Sequence, residues 1–348
     1  MTALEDFKTK ANIKQMKKYL IIYHQEDNDG VLSAALMKHY LLEELEVDKT
    51  DIDVLPSTYN SLSKIQESGT YKKWPSEYSH IVMTDISFND PNMMAWLKEN
   101  FNENFTWIDH HAPIIRESIR MKFDDVNGIR RTDHSAIYNM WIYLYDPFCQ
   151  NEIPFVIKML SAWDSWTYEA EGIDAEFCRM FNQGFTLESG LSLNWYVDNM
   201  PIIINCDMNS ILLSNTYAKG KEFCIKADDE NKKLIDTTGD KEWTVNGIPA
   251  IMVVTNGQTS SYMFKSVQVE NHTENDIRVG AVFKHCKDGK WTLSIYNIYD
   301  FKGDKNNPEY FHCGEYLKSK YNGGGHEGAA GCTIDIDKFY LMMKSKKI

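Results

Sequence analysis

No two of this chain's seven cysteines are spaced as C-x-x-C. An odd, scattered set of thiols excludes a disulfide framework and suits a reducing compartment. His285-Cys286 and His312-Cys313 match no standard zinc spacing and read as packing residues. Also missing is any uninterrupted apolar run long enough to cross a bilayer, so no membrane partner is expected. The opening residues, "MTALEDFKTKANIKQMKKY", are too polar for a signal peptide, and a cytoplasmic protein is the expectation. Positive charge is short as well: the formal net charge is −13. A protein that grips long nucleic acid usually shows a basic face, so long nucleic acid is not an expected partner. An acidic surplus suits a protein whose carboxylates hold divalent metal. No internal repeat or low-complexity tract is present.

What is present is an alternation of strands and helices along 348 residues, a length natural for two domains. "KYLIIYH", "DIDVLPST", "HIVMTDIS" and "NFTWIDHH" are short apolar runs ending in polar residues, as buried parallel strands would be. Between them, "DGVLSAALMKHYLLEELEV" has helical spacing. "DPNMMAWLKENF" reads as a helix with Asp90 as N-cap and Pro91 at N1. "TDHSAIYNMWIYLY" and "IPFVIKMLSAWDSW" read as helices too. The pattern predicts an α/β domain with a mostly parallel sheet over residues 1–204. A charged connecting helix is expected over 205–240. A smaller α/β domain is expected over 241–348, with two strands around Asn246-Gly247 and a hairpin turning at "KDG".

The stretch "YHQEDNDG", Tyr23 to Gly30, raises the functional question. As an EF-hand loop with Gly30 in sixth place it would begin at Gln25 and end at Leu36, neither of which is a carboxylate. Taken alone, it reads as a polar turn in which Asp29 caps a helix beginning at Gly30, with His24 and Asp27 solvated. It does not stand alone. Asp85 ends one apolar strand, and Asp109, His110 and His111 end another. In open α/β sheets the carboxyl ends of neighbouring strands converge on one crevice. Asp164 is a lone acid in an apolar, aromatic helix, which is costly unless paired or metal-bound. Oxygen and imidazole ligands without thiolates favour a hard or borderline metal. Several carboxylates suggest two ions sharing a bridging group, the arrangement for in-line phosphoester hydrolysis. Near the C-terminus, Gly323, Gly324 and Gly325 of "GGGHEGAAG" let backbone N–H groups approach an anion, and His326 can add a donor.

Together, "HQEDNDG", "MTDIS", "IDHH", "AWDSW" and "GGGHEGAAG", in this order, resemble the DHH phosphoesterase family, in its branch with a DHHA1 C-terminal domain. That branch includes oligoribonuclease-like and cyclic-dinucleotide phosphodiesterase-like members. The resemblance implies one metal held by His24, Asp27 and Asp85, and a second by Asp29, Asp85, His110 and Asp164. Asp85 would bridge them. Asp109 would orient its histidine neighbours, and His111 would stabilise charge at the scissile phosphate. The ions would be two Mn2+, with Mg2+ or Co2+ as substitutes. The glycine amides and His326 would hold another phosphate or terminal nucleotide, with the active site in a cleft between the domains. The sequence departs from the family pattern twice. Only Gln25 and Glu26 separate His24 from Asp27, which leaves Glu26 as an alternative ligand. Tyr296 stands where many relatives have a phosphate-gripping arginine, and a tyrosine can stack on a base. The expected activity is a manganese-dependent phosphodiesterase acting on short oligonucleotides or related small nucleotides. The alternatives are a pyrophosphatase or polyphosphatase, and a non-catalytic nucleotide-binding member. A homodimer is compatible with each.

Overall fold

The computed structural model describes residues 18–123, 125–146, 152–168, 170–207, 209–257, 261–267, 276–286, 288–298, 311–325 and 327–348. The chain forms two compact units, Met1–Phe223 and Cys224–Ile348.

The first unit is built on four parallel strands in the order β2-β1-β3-β4. They are β1 (Tyr19–His24), β2 (Ile52–Ser57), β3 (His80–Thr84) and β4 (Phe105–Ile108). Between β1 and β2 lies α1 (Asn28–Glu43). Then come α2 (Tyr59–Ser68) and α3 (Pro91–Phe101), followed after β4 by α4 (Ala112–Arg120), α5 (Ala136–Tyr145), α6 (Phe155–Asp164), α7 (Ala175–Ser189) and α8 (Leu193–Asn205). The run "YLIIYH" is apolar throughout because both faces of β1 are covered. Tyr19, Ile21 and Tyr23 pack into a core with α1, α5, α6, α7 and α8. Leu20 and Ile22 pack into a second core with Trp74, Met94, Phe105 and Trp107. Alternate residues thus serve opposite faces, as strand geometry requires. Asp90 caps α3, accepting from the Asn92 N–H at 3.0 Å, with Pro91 inside the first turn.

The helix expected between the domains is α9 (Ile211–Thr238), and the two units divide within it, after Phe223. The second unit carries a six-stranded mixed sheet, β5-β6-β7-β8-β10-β9. Its strands are β5 (Asp240–Val245), β6 (Ile248–Val254), β7 (Val279–His285), β8 (Trp291–Asn297), β9 (Gly324–Gly325) and β10 (Ala329–Ile334). Helices α10 (Cys313–Tyr321) and α11 (Ile336–Ser345) complete it. Asn246 and Gly247 both have positive φ, 51° and 80°, which closes the β5–β6 hairpin at the Asn-Gly pair. The β7–β8 pair is antiparallel, as the turn signal at "KDG" implies. Among the described residues no helix is long and apolar enough to cross a membrane.

Candidate metal centre

The strand order explains why distant residues meet. β1 lies between β2 and β3, so the chain turns in opposite directions from its two sides, and a crevice opens at the carboxyl ends of β1 and β3. His24 ends β1, Asp85 directly follows β3, and Asp109 to His111 follow β4. Asp164 is the last residue of α6.

The opening loop folds back on itself at the crevice. Asp27, not Asp29, caps α1: it is extended and its Oδ1 accepts from the Gly30 N–H at 2.9 Å. Its Oδ2 lies 3.0 Å from His24 Nδ1. Gly30 is required by close approach, because a Cβ there would meet the His24 carbonyl oxygen at 2.2 Å. The solvated-turn reading is corrected at Asp29, which is buried inside the first turn of α1. It caps a different helix, α5. Its Oδ1 accepts from the Ser135 hydroxyl and the Ile137 N–H, both at 2.7 Å, and its Oδ2 accepts from the Ala136 N–H at 2.8 Å. Asn28 anchors the same turn by donating to Asn182 Oδ1 and Thr186 Oγ1, each at 2.8 Å.

Asp85 is the centre of the cluster. It is buried and holds a left-handed backbone, φ 57°. For a residue with a Cβ that conformation costs roughly 1–2 kcal/mol, a strain typical of functional sites. Its N–H donates to the Ile108 carbonyl at 3.0 Å, which fixes the turn. Its two carboxylate oxygens face different histidines: Oδ2 is 3.3 Å from His24 Nδ1, and Oδ1 is 3.2 Å from His110 Nε2. His110 Nε2 is also 3.1 Å from Asp164 Oδ2 and 3.7 Å from Asp29 Oδ2.

Asp109 faces the backbone. Its Oδ1 accepts from the N–H groups of His110 and His111, at 2.7 and 3.0 Å, and lies 2.8 Å from His111 Nδ1. Its Oδ2 accepts from Trp107 Nε1 at 3.1 Å. These contacts fix both histidine backbones and engage one side of the His111 ring. Tyr59, the first residue of α2, stands beside both outer histidines. Its ring centroid is 6.2 Å from that of His24 and 6.4 Å from that of His111.

The electrostatics are those of crowded buried acids. Burial lifts the Asp164 carboxyl to about 7; His110 opposes this, and Asp27 and Asp85 reinforce it. Burial also pushes Asp29 well up, with Asp85 and Asp164 adding to it. For His24, burial opposes the charged form, but contacts with Asp27, Asp85 and Glu26 outweigh it and raise its pKa.

The donor atoms fall into three groups that could hold a metal ion: His24, Asp27 and Asp85; Asp29, His110 and Asp164; and Asp85, His110 and His111. Glu26 belongs to none of them. Its carboxylate lies 3.5 Å from His24 Nε2, and its side chain is 65% exposed. Three buried atoms of the cluster, His24 Nδ1, Asp85 Oδ1 and Asp164 Oδ2, make no hydrogen bond among the described residues. Buried polar atoms are normally satisfied, and a cation is the partner that suits a nitrogen and two carboxylate oxygens at once. With no thiolate among them, the residues fit hard or borderline divalent ions.

In the second unit, Gly324 and Gly325 form an edge strand paired with Gly331 and Ala330 of β10. All of Gly323, Gly324 and Gly325 are present in that exposed strand or directly before it. A Cβ at Gly323 would meet the Gly331 carbonyl oxygen at 2.6 Å, whereas Gly324 opens onto space. His326 lies outside the described residues. The expectation for Tyr296 is corrected: its side chain is buried in a core with Ile235 and Phe264, so its ring is not presented for stacking.

Sequence reasoning missed Ser135, Asn28 and Tyr59. Ser135 carried a weak signal as a small polar residue at a helix start. Asn28 and Tyr59 carried none.

No protein-family model and no curated protein sequence matches the chain. Solved structures do. The DHH domain of a member of a family of ribosomal proteins superposes with a TM-score of 0.59 at 15% identity, covering 99% of this chain and 91% of that one. A pGpG-specific phosphodiesterase, PggH, from Vibrio cholerae has a TM-score of 0.48 at 16% identity, covering 94% and 97%. The exonuclease RecJ bound to manganese has a TM-score of 0.47 at 13% identity, covering 99% and 93%. The chain therefore shares the fold of that DHH-domain structure.

Proposed function

We propose that the protein is a metal-dependent phosphodiesterase acting on short oligonucleotides or related small nucleotides. The observation that carries this reading is the division of Asp85: one carboxylate oxygen faces His24 and the other faces His110. A carboxylate shared in this way is what a two-ion site needs.

One ion would be held by His24, Asp27 and Asp85, and the other by Asp29, Asp85, His110 and Asp164. Asp27 is preferred over Glu26 because its carboxylate lies with those of the cluster while Glu26 is turned outward. Two divalent cations, Mn2+ with Mg2+ or Co2+ as substitutes, would supply Lewis-acid activation of water and charge stabilisation at the phosphoryl group. The protein's own work is positional. Ser135 and the first N–H groups of α5 hold the Asp29 carboxylate in position. Asp109 engages His111 Nδ1, so that His111 would meet the phosphoryl group through Nε2. Hydrolysis adds water across one ester bond: the water oxygen bonds to phosphorus, the ester P–O bond breaks, and the leaving oxygen takes a proton. In the second unit, the amides around Gly324 would hold a further phosphate of the substrate. The acidic net charge of −13 supports a short substrate over a long one.

The test is a manganese assay across di- to hexanucleotides, cyclic dinucleotides, 3′-phosphoadenosine 5′-phosphate and pyrophosphate. Turnover of short phosphodiesters is expected. Cleavage of pyrophosphate alone, or turnover of none, would overturn the proposal.

A further inference from the structure

We propose that Tyr59 is a substrate-contacting residue, donating its phenolic hydrogen bond to a non-bridging oxygen of the phosphoryl group being cleaved. This rests on the phosphodiesterase reading above.

Tyr59 is placed by the fold, not by any motif. Ser57, at the end of β2, pairs with His24 at the end of β1, and its carbonyl accepts the Gln25 N–H at 3.1 Å. Thr58 then caps α2 through a reciprocal pair with Ser61, at 3.2 and 2.9 Å. Three hydrogen bonds therefore fix the backbone on which Tyr59 sits. The ring goes to the one place where β1 and β4 both deliver histidines. It is tilted 50° to His24 and stands 89° to His111, edge-on.

This geometry separates the two ends of the side chain. The ring packs with two histidines of opposite flanks of the cluster, so it is poorly placed to stack on a base. The hydroxyl makes no hydrogen bond to any described residue, and it stands in the field of Asp109, Asp85 and Asp27. An aromatic ring could fill this position without the hydroxyl, so packing alone does not account for the polar end. Acids surround the site, and Tyr59 is a neutral donor that lies in their field but donates a hydrogen bond to no described carboxylate or backbone group. The chemistry that would engage it is an anionic acceptor brought from outside, and the phosphoryl oxygens of a nucleotide substrate are that acceptor.

Tyr59→Phe removes the hydroxyl and keeps the ring. With the full chain loaded with manganese, three quantities are measured: bound manganese per chain, kcat/KM on a dinucleotide, and the affinity for inorganic phosphate by calorimetry. The expected result is unchanged manganese stoichiometry, a melting temperature near wild type, and kcat/KM lowered about 10–100-fold, the range for losing one hydrogen bond to a charged group. Phosphate affinity should fall with it. Wild-type values for both kcat/KM and phosphate affinity in Tyr59→Phe, in an enzyme that turns over, would overturn the role of Tyr59 alone. A wild-type chain that neither binds manganese nor cleaves phosphodiesters would overturn the functional reading and this inference with it. Loss of manganese in Tyr59→Phe would also overturn it, because the residue would then be holding histidines and not substrate.

Discussion

The two glycine- and acid-rich regions that carry the functional motifs are built in opposite ways. In the first unit Asp29, Asp85 and Asp109 are buried, and Asp85 is held in a left-handed conformation. Asp29 alone takes three hydrogen bonds from one helix start. In the second unit the matching motif is an exposed edge strand two residues long, with no charge of its own in Gly323 to Gly325. Under the proposed function, the difference is one of task. Holding cations demands preorganised carboxylates, whose mutual repulsion must be borne by the fold before any ion arrives. Greeting a phosphate needs only open amides, and side chains there would obstruct it.

The largest test of this contrast is Asp85→Ala. Both ion groups lose a ligand, so bound manganese should fall from two per chain toward zero and turnover by about 1,000-fold or more. Elemental analysis together with steady-state rates checks it, and a variant keeping substantial activity would break the two-ion assignment. Asp27→Asn and Glu26→Gln form a paired test. The first should cost about 10–100-fold in manganese affinity, and the second should stay within about two-fold. Equal losses would mean that Glu26 shares the ligand role. Asp109→Asn should lower kcat by about 10–100-fold with metal still bound, because the histidines lose their anchor and not the ions their ligands.

A pH series on metal-free protein sharpens the same point. Asp164 in the folded chain titrates near 7, above the ordinary 3.8. An unfolded chain therefore releases this proton first as pH rises. The resulting loss of stability begins near pH 4, grows toward pH 7 and then levels off. Asp164→Asn should flatten that decline in melting temperature, and a variant that declines as steeply as wild type would refute it. The smallest effect is expected in the second unit. Gly324→Ala meets open space, so stability should stay within about 0.5 kcal/mol, while KM rises if the amides there meet substrate. An unchanged KM would remove the glycine strand from the binding surface.

Much of the fold was legible. The four apolar runs became the four parallel strands, and Asp90-Pro91, Asn246-Gly247 and "KDG" marked a helix start and two hairpins through local rules alone. The convergence of Asp85, Asp109 to His111 and the "HQEDNDG" loop was legible because strand ends in such sheets share one edge. The capping partner was not. Asp29 stands beside Gly30 in sequence, yet its hydrogen bonds go to Ser135, Ala136 and Ile137. No local rule links a carboxylate to a helix start more than a hundred residues away. Tyr296 failed for a similar reason: strand alternation alone did not say which face of β8 would meet Phe264 and the core.

By itself, the order of residues determined the types of chemistry available: acids and imidazoles without thiolates, at strand ends, in a chain of net charge −13. Only the tertiary structure decided how they are shared. It turned Asp27 into the cap of α1, sent Asp29 to α5, divided Asp85 between two histidines, and set Tyr59 beside both flanks of the cluster. The physical reason is range. Strand and cap preferences act over a few residues, whereas the partner of a buried carboxylate is whichever donor the packed sheet brings within about 3 Å. The stretch "YHQEDNDG" offers a histidine and three acids, and the sheet assigns each of them its place.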